Sequence, residues 1–273
     1  MHTDTKSVLT IAGSDSIGGA GIQADIKTIF SLGLYACSCI TAVTAQNTLG
    51  VKSVQAINSD ILSDQIEMVL QDITPDAIKI GMIYTKENVI AVKESLQRNN
   101  YKGFVVLDPV LVATSGDKLA KEDFLDILKK ELFPICDILT PNIPETEAIC
   151  GVSISSKETM IACGKDIITR YGVKNVLIKG GHGIGEDMTD ILVLNNGEIK
   201  TFTAQKIDSN NTHGTGCTLS SAIASYSAQG NDIIQSVKLA KDYVYDAIWG
   251  AKDITMFKGH GSTNHFHSLQ FKR

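Results

Sequence analysis

Short apolar runs alternate with segments of helical periodicity along almost the whole chain of 273 residues. Buried strands are predicted at residues 8–12, 36–45, 77–80, 104–107, 138–140 and 176–178. Helices are predicted at residues 21–32, 61–70, 89–96, 124–132, 157–171, 216–228 and 233–247. Strands that are apolar on both faces are typical of parallel sheets covered by helices. The alternation therefore predicts an α/β fold with a mostly parallel central sheet.

Two further strand-like runs, at 191–194 and 199–203, flank the turn Asn-Asn-Gly at 195–197. Asn-Gly between two apolar runs is a strong signal for a β-hairpin. No shift in composition, low-complexity tract or Pro/Gly-rich linker divides the sequence. We therefore predict one domain spanning residues 1–273.

The formal net charge of −5 is spread along the chain, which gives no indication of nucleic-acid or membrane-surface binding. No apolar run approaches the roughly 18 residues of a membrane span. Residues 1–7 lack the order of a signal peptide, so we expect a cytoplasmic protein. The six cysteines lack zinc-site spacing and are expected to be free thiols. His260, His265 and His267 have no acidic or thiol neighbour in sequence, which argues against a metal site there.

Polar or glycine residues follow the predicted strands directly at their carboxyl ends. They are Gly13-Ser14-Asp15, Gly81-Met82, Asp108-Pro109, Thr140-Pro141-Asn142 and Lys179-Gly180. In open α/β sheets the carboxyl ends of the strands form the edge at which ligands bind. The sequence therefore predicts a ligand site at this edge.

The segment 13–21 (GSDSIGGAG) carries four glycines and two hydroxyl side chains after the first strand. It is not a Walker A loop, because no Gly-Lys-Ser/Thr follows. It partly fits a dinucleotide-binding fingerprint, but residues 28–59 contain no acidic residue to hold a ribose. A tight strand–helix turn without a ligand is the plainer alternative. The composition favours close approach of the backbone to a ligand.

The segment 208–218 (DSNNTHGTGCT) is rich in glycine and polar residues and precedes a predicted helix. Such a loop is typical of an anion site, since the free N–H groups and the helix dipole both favour phosphate. The alternative is an ordinary helix start capped by Thr215.

Asn142 and Glu145 are spaced so that an amide and a carboxylate could hold a hydrated Mg²⁺ beside phosphates. Asp108 could add a second carboxylate. Asn and Glu at this spacing are also ordinary capping residues. Lys179, at the end of a strand, could reach a phosphate, and its alternative is a solvated surface lysine.

In their order along the chain, these segments resemble the hydroxymethylpyrimidine/phosphomethylpyrimidine kinases, a branch of the ribokinase-like superfamily. The resemblance covers nearly the whole sequence. It rests on residues 10–15 (TIAGSD), 18–25 (GGAGIQAD), 41–48 (TAVTAQNT), 79–82 (KIGM), 108–110 (DPV), 140–145 (TPNIPE), 179–182 (KGGH), 211–218 (NTHGTGCT) and 259–261 (GHG). Two positions depart from the family pattern: Ile17 replaces the usual Ser, and Ser262 stands where Pro is expected.

The resemblance implies a ribokinase-like three-layer α/β/α sandwich that binds ATP with Mg²⁺, forms a homodimer and takes a small-molecule substrate. It implies that the acceptor ring is surrounded by Gly13, Asp25, Gln46, Met82 and Val110. The amide of Gln46 suits an aminopyrimidine edge, because it both donates and accepts hydrogen bonds. Met82 would form a soft apolar wall for a flat ring.

The resemblance also places the remaining candidates around the phosphates. ATP would contact Asn142, Glu145, Lys179, Thr212, Gly214 and Gly216, and Mg²⁺ would be held by Asp108 and Glu145. The residues implied in catalysis are Cys217, Lys179, Gly214, Thr215 and Gly216. Cys217 would act as a base near the acceptor hydroxyl, with its pKa lowered from about 8.5 by the helix N-terminus.

The expected function is therefore ATP-dependent phosphorylation of 4-amino-5-hydroxymethyl-2-methylpyrimidine and then of its monophosphate, in thiamin biosynthesis. A pyridoxal/pyridoxine kinase is the alternative within the same class of enzymes. A non-catalytic nucleotide sensor is the alternative from another class, although a sensor would have no need for an acceptor-side base.

Overall fold

A nine-stranded sheet runs through the parts of the chain that the computed structural model describes, residues 5–111, 123–181 and 187–267. The strands are β1 (Ser7–Ser14), β2 (Tyr35–Asn47), β3 (Gly50–Ala56), β4 (Ala77–Ile80), β5 (Phe104–Leu107), β6 (Ile138–Leu139), β7 (Asn175–Ile178), β8 (Asp187–Leu194) and β9 (Ile199–Gln205). Their order is β3-β2-β1-β4-β5-β6-β7-β8-β9. His182 of the KGGH segment lies outside the described residues.

The six central strands, from β2 to β7 in the sheet, pair in parallel. Antiparallel pairs occur only toward the edges, between β2 and β3 and along β7, β8 and β9. The mostly parallel sheet is confirmed, and the hairpin predicted at the Asn-Gly turn joins β8 to β9.

Helices cover both faces of the sheet. They are α1 (Gly21–Ser31), α2 (Ser59–Asp72), α3 (Lys86–Arg98), α4 (Phe124–Glu131), α5 (Ile143–Cys150), α6 (Lys157–Tyr171), α7 (Thr215–Ala228) and α8 (Ile233–Trp249). Among the described residues, none of these helices is long and apolar enough to cross a membrane.

The buried side chains separate into two clusters because successive residues of a strand point to opposite faces. Leu9 and Ile11 of β1 pack with α2 to α6, whereas Val8 packs with α1, α7 and α8. Two helical layers therefore enclose the sheet, which confirms the predicted three-layer α/β/α sandwich.

Two elements were not predicted from the sequence. Strand β3 is half-exposed and lies at the sheet edge, so it lacks a continuous apolar run. Helix α5 has only eight residues, with a proline at its second position, and no helix was predicted for its segment beyond the capping alternative at Asn142 and Glu145. Strand β3 and helix α5 both lie near the edge of the sheet formed by the carboxyl ends of β1, β4, β5, β6 and β7.

Candidate active site

A cavity of about 720 Å³ opens at the carboxyl ends of the central strands. It is lined by all the site residues predicted from the sequence except Asp25. These are Gly13, Gln46, Met82, Asp108, Val110, Asn142, Glu145, Lys179, Thr212, Gly214, Thr215, Gly216 and Cys217. The structure therefore brings together residues that are scattered over more than 200 positions of the sequence.

A group of apolar side chains that line the cavity was missed in the sequence. It is formed by side chains of β8, β9 and α8 and the adjoining loop, namely Met188, Ala204, Ile207, Val244, Tyr245 and Ile248. All except Ile207, which lies in the loop, belong to elements whose pattern is that of any amphipathic strand or helix. Only the arrangement of the three elements indicates that they share a pocket.

The N-terminus of α7 faces the cavity without a capping side chain. The cap residue is Gly214, with φ of 83°, and not Thr215, so the plain capping alternative is wrong. A Cβ at position 214 would lie 1.8 Å from the carbonyl oxygen of Gly19. The conformation and the close approach both require glycine here. The first turn of α7 thus remains available to an anion.

Asn142 and Glu145 form a capping box at the start of α5. The N–H of Asn142 donates to Glu145 Oε2, and the N–H of Glu145 donates to Asn142 Oδ1, both at 2.8 Å. Asn142 and Glu145 therefore do cap the helix, as the alternative interpretation held, and both residues also line the cavity. Burial raises the pKa of Glu145 to about 7, with Lys179 opposing the shift and Asp108 adding to it.

Lys179 is paired with Asp108 and is not a solvated surface lysine. Its Nζ lies 2.8 Å from Asp108 Oδ1, and the two side chains are 14% and 2% exposed. Burial disfavours the ammonium, but the charges of Asp108 and Glu145 outweigh burial and raise the pKa of Lys179. The lysine therefore carries a positive charge at the cavity wall at any physiological pH.

Cys217 lies in the first turn of α7 and lines the cavity. The expected lowering of its pKa is wrong: burial raises the pKa of the thiol to about 11. The charge of Lys79 opposes this shift, while Asp25 and Asp108 add to it. Desolvation thus outweighs the helix dipole, and Cys217 is a thiol at neutral pH.

Asp25 is not among the residues that line the cavity, so its contact with the ring stays a prediction. Its carboxylate is fully buried and lies 2.8 Å from Lys79 Nζ. Thr10 and Ser221 donate hydroxyl hydrogen bonds to it, at 2.6 and 2.7 Å. Asp25 therefore joins β1, β4, α1 and α7 below the site and supports the cavity.

We expect Asp25→Asn to lower the free energy of unfolding by about 3 kcal/mol or more, because it leaves the Lys79 ammonium buried without a counter-charge. Urea unfolding would measure the loss. The matched control is Asp242→Asn, which breaks the exposed Lys238–Asp242 pair and should cost less than about 1 kcal/mol. If Asp25→Asn left the stability unchanged and raised the KM for the acceptor, Asp25 would instead be a residue that contacts the acceptor ring.

The first glycine-rich loop contributes residues to the site that the sequence analysis did not assign. Asp15 lines the cavity beside His213, with 2.9 Å between Asp15 Oδ2 and His213 Nε2. Both belong to quoted motifs, but nothing in the sequence indicates that they touch. Ile17 is 41% exposed and is not part of the lining. The departure from the family pattern at this position therefore leaves the described cavity wall unchanged.

Comparison with known proteins agrees with this geometry. The family model described as phosphomethylpyrimidine kinase matches residues 15–264. The chain belongs to the phosphomethylpyrimidine kinase family. It is 43% identical over 263 residues to the hydroxymethylpyrimidine/phosphomethylpyrimidine kinase of Rhizobium meliloti, covering 96% of this chain and 98% of that protein. It is 44% identical to the thiamine biosynthesis bifunctional protein ThiED of Geobacter sulfurreducens, of whose length it spans 52%.

Two solved structures share the fold. The phosphomethylpyrimidine kinase ThiD of Clostridium difficile superimposes with a TM-score of 0.79 at 46% identity, covering 89% of this chain and 100% of that chain. The pyridoxal kinase of Staphylococcus aureus in complex with AMP-PCP and pyridoxal gives 0.86 at 31% identity, covering 97% and 95%. The family, the kinase fold and the phosphotransferase class predicted from the motifs are confirmed.

Proposed function

We propose that this protein transfers a phosphoryl group from ATP to the hydroxymethyl group of 4-amino-5-hydroxymethyl-2-methylpyrimidine and then to the resulting monophosphate, in thiamin biosynthesis. One observation carries the proposal: the same cavity is lined by Gln46 and Met82 and by the uncapped N-terminus of α7, which carries Cys217 in its first turn. The Rhizobium meliloti relative, which matches over nearly its full length, is named for both phosphorylation steps.

The acceptor end of the cavity is suited to a flat polar ring. Gln46 provides a donor and an acceptor, while Met82 and Val110 provide apolar walls. Met82 packs against Gly13, and the Thr41 hydroxyl donates to the Met82 carbonyl at 2.7 Å. These contacts hold the methionine at the wall before a ring arrives.

The phosphate end combines a positive charge with backbone donors. Lys179 and the first turn of α7 would stabilise the charge on the transferring phosphoryl group, which is the main catalytic requirement of such transfers. The apolar side chains of β8, β9 and α8 that line the cavity would take the nucleotide base. The Staphylococcus aureus neighbour, solved with AMP-PCP, supports ATP binding in this fold.

The cavity suits a Mg²⁺ ion that is coordinated mainly by the phosphates of the nucleotide and only partly by protein side chains. The described residues contain no group of three or more His, Cys, Asp or Glu side chains that could hold a metal. Mg²⁺ commonly uses one or two carboxylates together with water and substrate phosphates, and Asp108 and Glu145 would supply them. When bound, the ion would neutralise phosphate charge.

Pyridoxal kinase activity is the second candidate, favoured by the structural similarity to the Staphylococcus aureus enzyme. The pyridoxal ring also carries a hydroxymethyl group. ADP release with the hydroxymethylpyrimidine, its monophosphate, pyridoxal and pyridoxine as acceptors would test both candidates. Release with the first two acceptors supports the proposal, and release only with the last two favours the alternative. No release with any acceptor would favour a nucleotide sensor.

Gln46→Ala is expected to raise the KM for the aminopyrimidine about tenfold while changing the KM for ATP less than twofold, since breaking a hydrogen bond to the substrate costs roughly 0.5–1.5 kcal/mol. Steady-state kinetics with each substrate varied in turn would measure this. Gln55→Ala, on the exposed side of β3, is the matched control and should change neither constant. Equal changes in the KM for the aminopyrimidine and the KM for ATP would show that Gln46 does not bind the ring specifically.

A homodimer, a cytoplasmic location and the single domain over residues 1–273 remain predictions. The family resemblance supports the dimer. Light scattering of the purified protein would test the dimer directly.

A further inference from the structure

His213 lies where four segments of the chain meet. Its Nε2 is 2.9 Å from Asp15 Oδ2 in the first glycine-rich loop and 3.4 Å from the side-chain amide of Gln46 at the end of β2. Its backbone N–H donates to the carbonyl of Gly261 at 2.9 Å. The imidazole packs so closely on Gly19 that a Cβ there would lie 2.4 Å from its Cδ2. The ring therefore has little freedom to turn.

The partners of Asp15 determine which nitrogen of His213 carries a proton. Asp15 also accepts N–H groups from Gly19 and Ala20, at 3.0 and 2.8 Å. Burial would raise the pKa of Asp15, but the hydrogen bonds from His213 and the backbone lower it overall. Asp15 is thus a carboxylate that only accepts hydrogen bonds. Nε2 of His213 must therefore be the protonated nitrogen.

The proton on Nε2 in turn restricts the orientation of the Gln46 amide. One end of this amide faces His213 Nε2 at 3.4 Å, and the other faces Thr44 Oγ1 at 3.3 Å. The Thr44 hydroxyl donates its only proton to the carbonyl of Ser14 at 2.9 Å, so it can only accept from Gln46. Nε2 of His213 gives its only proton to Asp15 and keeps no lone pair, so it cannot accept a hydrogen bond from an NH₂ group. The NH₂ group therefore belongs beside Thr44 and the amide oxygen beside His213.

We propose that His213 is a positioning residue for the acceptor, because its N–H, held by Asp15, fixes which end of the Gln46 amide faces which side of the cavity. A ring that offers an amino N–H next to a ring nitrogen then matches this amide in one orientation, with the amino group on the His213 side. An edge of this kind is present in a 4-aminopyrimidine. The inference rests on the proposed function and adds the residue that makes Gln46 selective.

The test is a double-mutant cycle between Gln46→Ala and His213→Asn, measured with the aminopyrimidine and with its analogue in which hydrogen replaces the amino group. The asparagine side chain is too short to bring an N–H to Asp15, whereas His213→Gln reaches it and serves as the conservative control. We expect His213→Asn to raise the KM for the aminopyrimidine about fivefold to tenfold, with the KM for ATP unchanged and His213→Gln close to wild type. We also expect the preference over the deamino analogue to fall as it does in Gln46→Ala.

Because His213 acts through Gln46, the double variant should be no worse than Gln46→Ala alone. Additive effects, equal losses in His213→Asn and His213→Gln, or equal changes in both KM values would overturn the inference. If His213→Asn does not fold, Thr44→Val is used instead, because it removes the other hydrogen-bond partner of the Gln46 amide. The double variant of Thr44→Val and Gln46→Ala should then have a KM for the aminopyrimidine no higher than that of Gln46→Ala alone. No turnover of either ring by the wild-type protein would overturn the proposed function as well, which separates the two failures.

Discussion

Lys179→Ala is expected to lower kcat about 100-fold or more with every acceptor, a loss typical of removing one group that stabilises transition-state charge. The lysine is charged and lines the cavity, on the side where we propose that the phosphates shared by all acceptors bind. The KM for the acceptor should change little, because the proposed ring site is formed by other residues of the cavity. Steady-state kinetics at saturating Mg²⁺, with the alcohol and the monophosphate as separate acceptors, would measure both constants.

The matched control is Lys200→Ala, which removes an exposed lysine of β9 paired with Glu198. Glu145→Gln should impair turnover in the same acceptor-independent way, since Glu145 lines the same end. Wild-type kcat in either variant would show that the residue has no part in phosphoryl transfer. A fall in kcat with only one of the two acceptors would show that the residue acts on the acceptor and not on the shared phosphates.

Cys217→Ala is expected to slow phosphorylation of the alcohol by about 10-fold to 100-fold and that of the monophosphate far less, because only the small thiolate fraction of Cys217 can act as a base at pH 7.5. An alcohol must lose a proton during attack, and a positioned base contributes about 10²–10⁴-fold. A phosphomonoester has a second pKa near 6 and is already dianionic at neutral pH. The comparison is kcat/KM for both acceptors at pH 7.5, with Cys37→Ala, which changes a half-buried cysteine on β2, as the control. Equal losses on both acceptors would leave Cys217 as a packing residue of the α7 loop.

The raised pKa of Cys217 adds a pH test with a definite sign. The thiol has a pKa of about 11, so the fraction present as thiolate increases as pH rises from 7 to 9. If the thiolate is the base, kcat/KM for the alcohol rises over this range, whereas that for the monophosphate stays level because its dianion is already formed. The rise should disappear in Cys217→Ala. A flat profile for the wild-type alcohol reaction would contradict the base role.

The sequence by itself determined the order of elements and the family. Strands buried on both faces and amphipathic helices differ in the period of their apolar residues, which can be recognised locally. The glycine-rich loops could be recognised because close backbone approach requires particular residue types at fixed spacing. The edge strand β3 and the short helix α5 were missed, since partial exposure and short length weaken both periodicities.

The tertiary structure decided what the individual site residues do. Asp25 belongs to a quoted motif, but only the packing of β4 and α7 shows that Lys79 and Ser221 enclose it. The pKa of Cys217 rises rather than falls because desolvation depends on everything packed around the thiol, whereas the helix N-terminus alone was visible in the sequence. The contact between Asp15 and His213 joins residues 198 positions apart. Such contacts depend on where distant segments meet, and that information is not contained in local residue patterns.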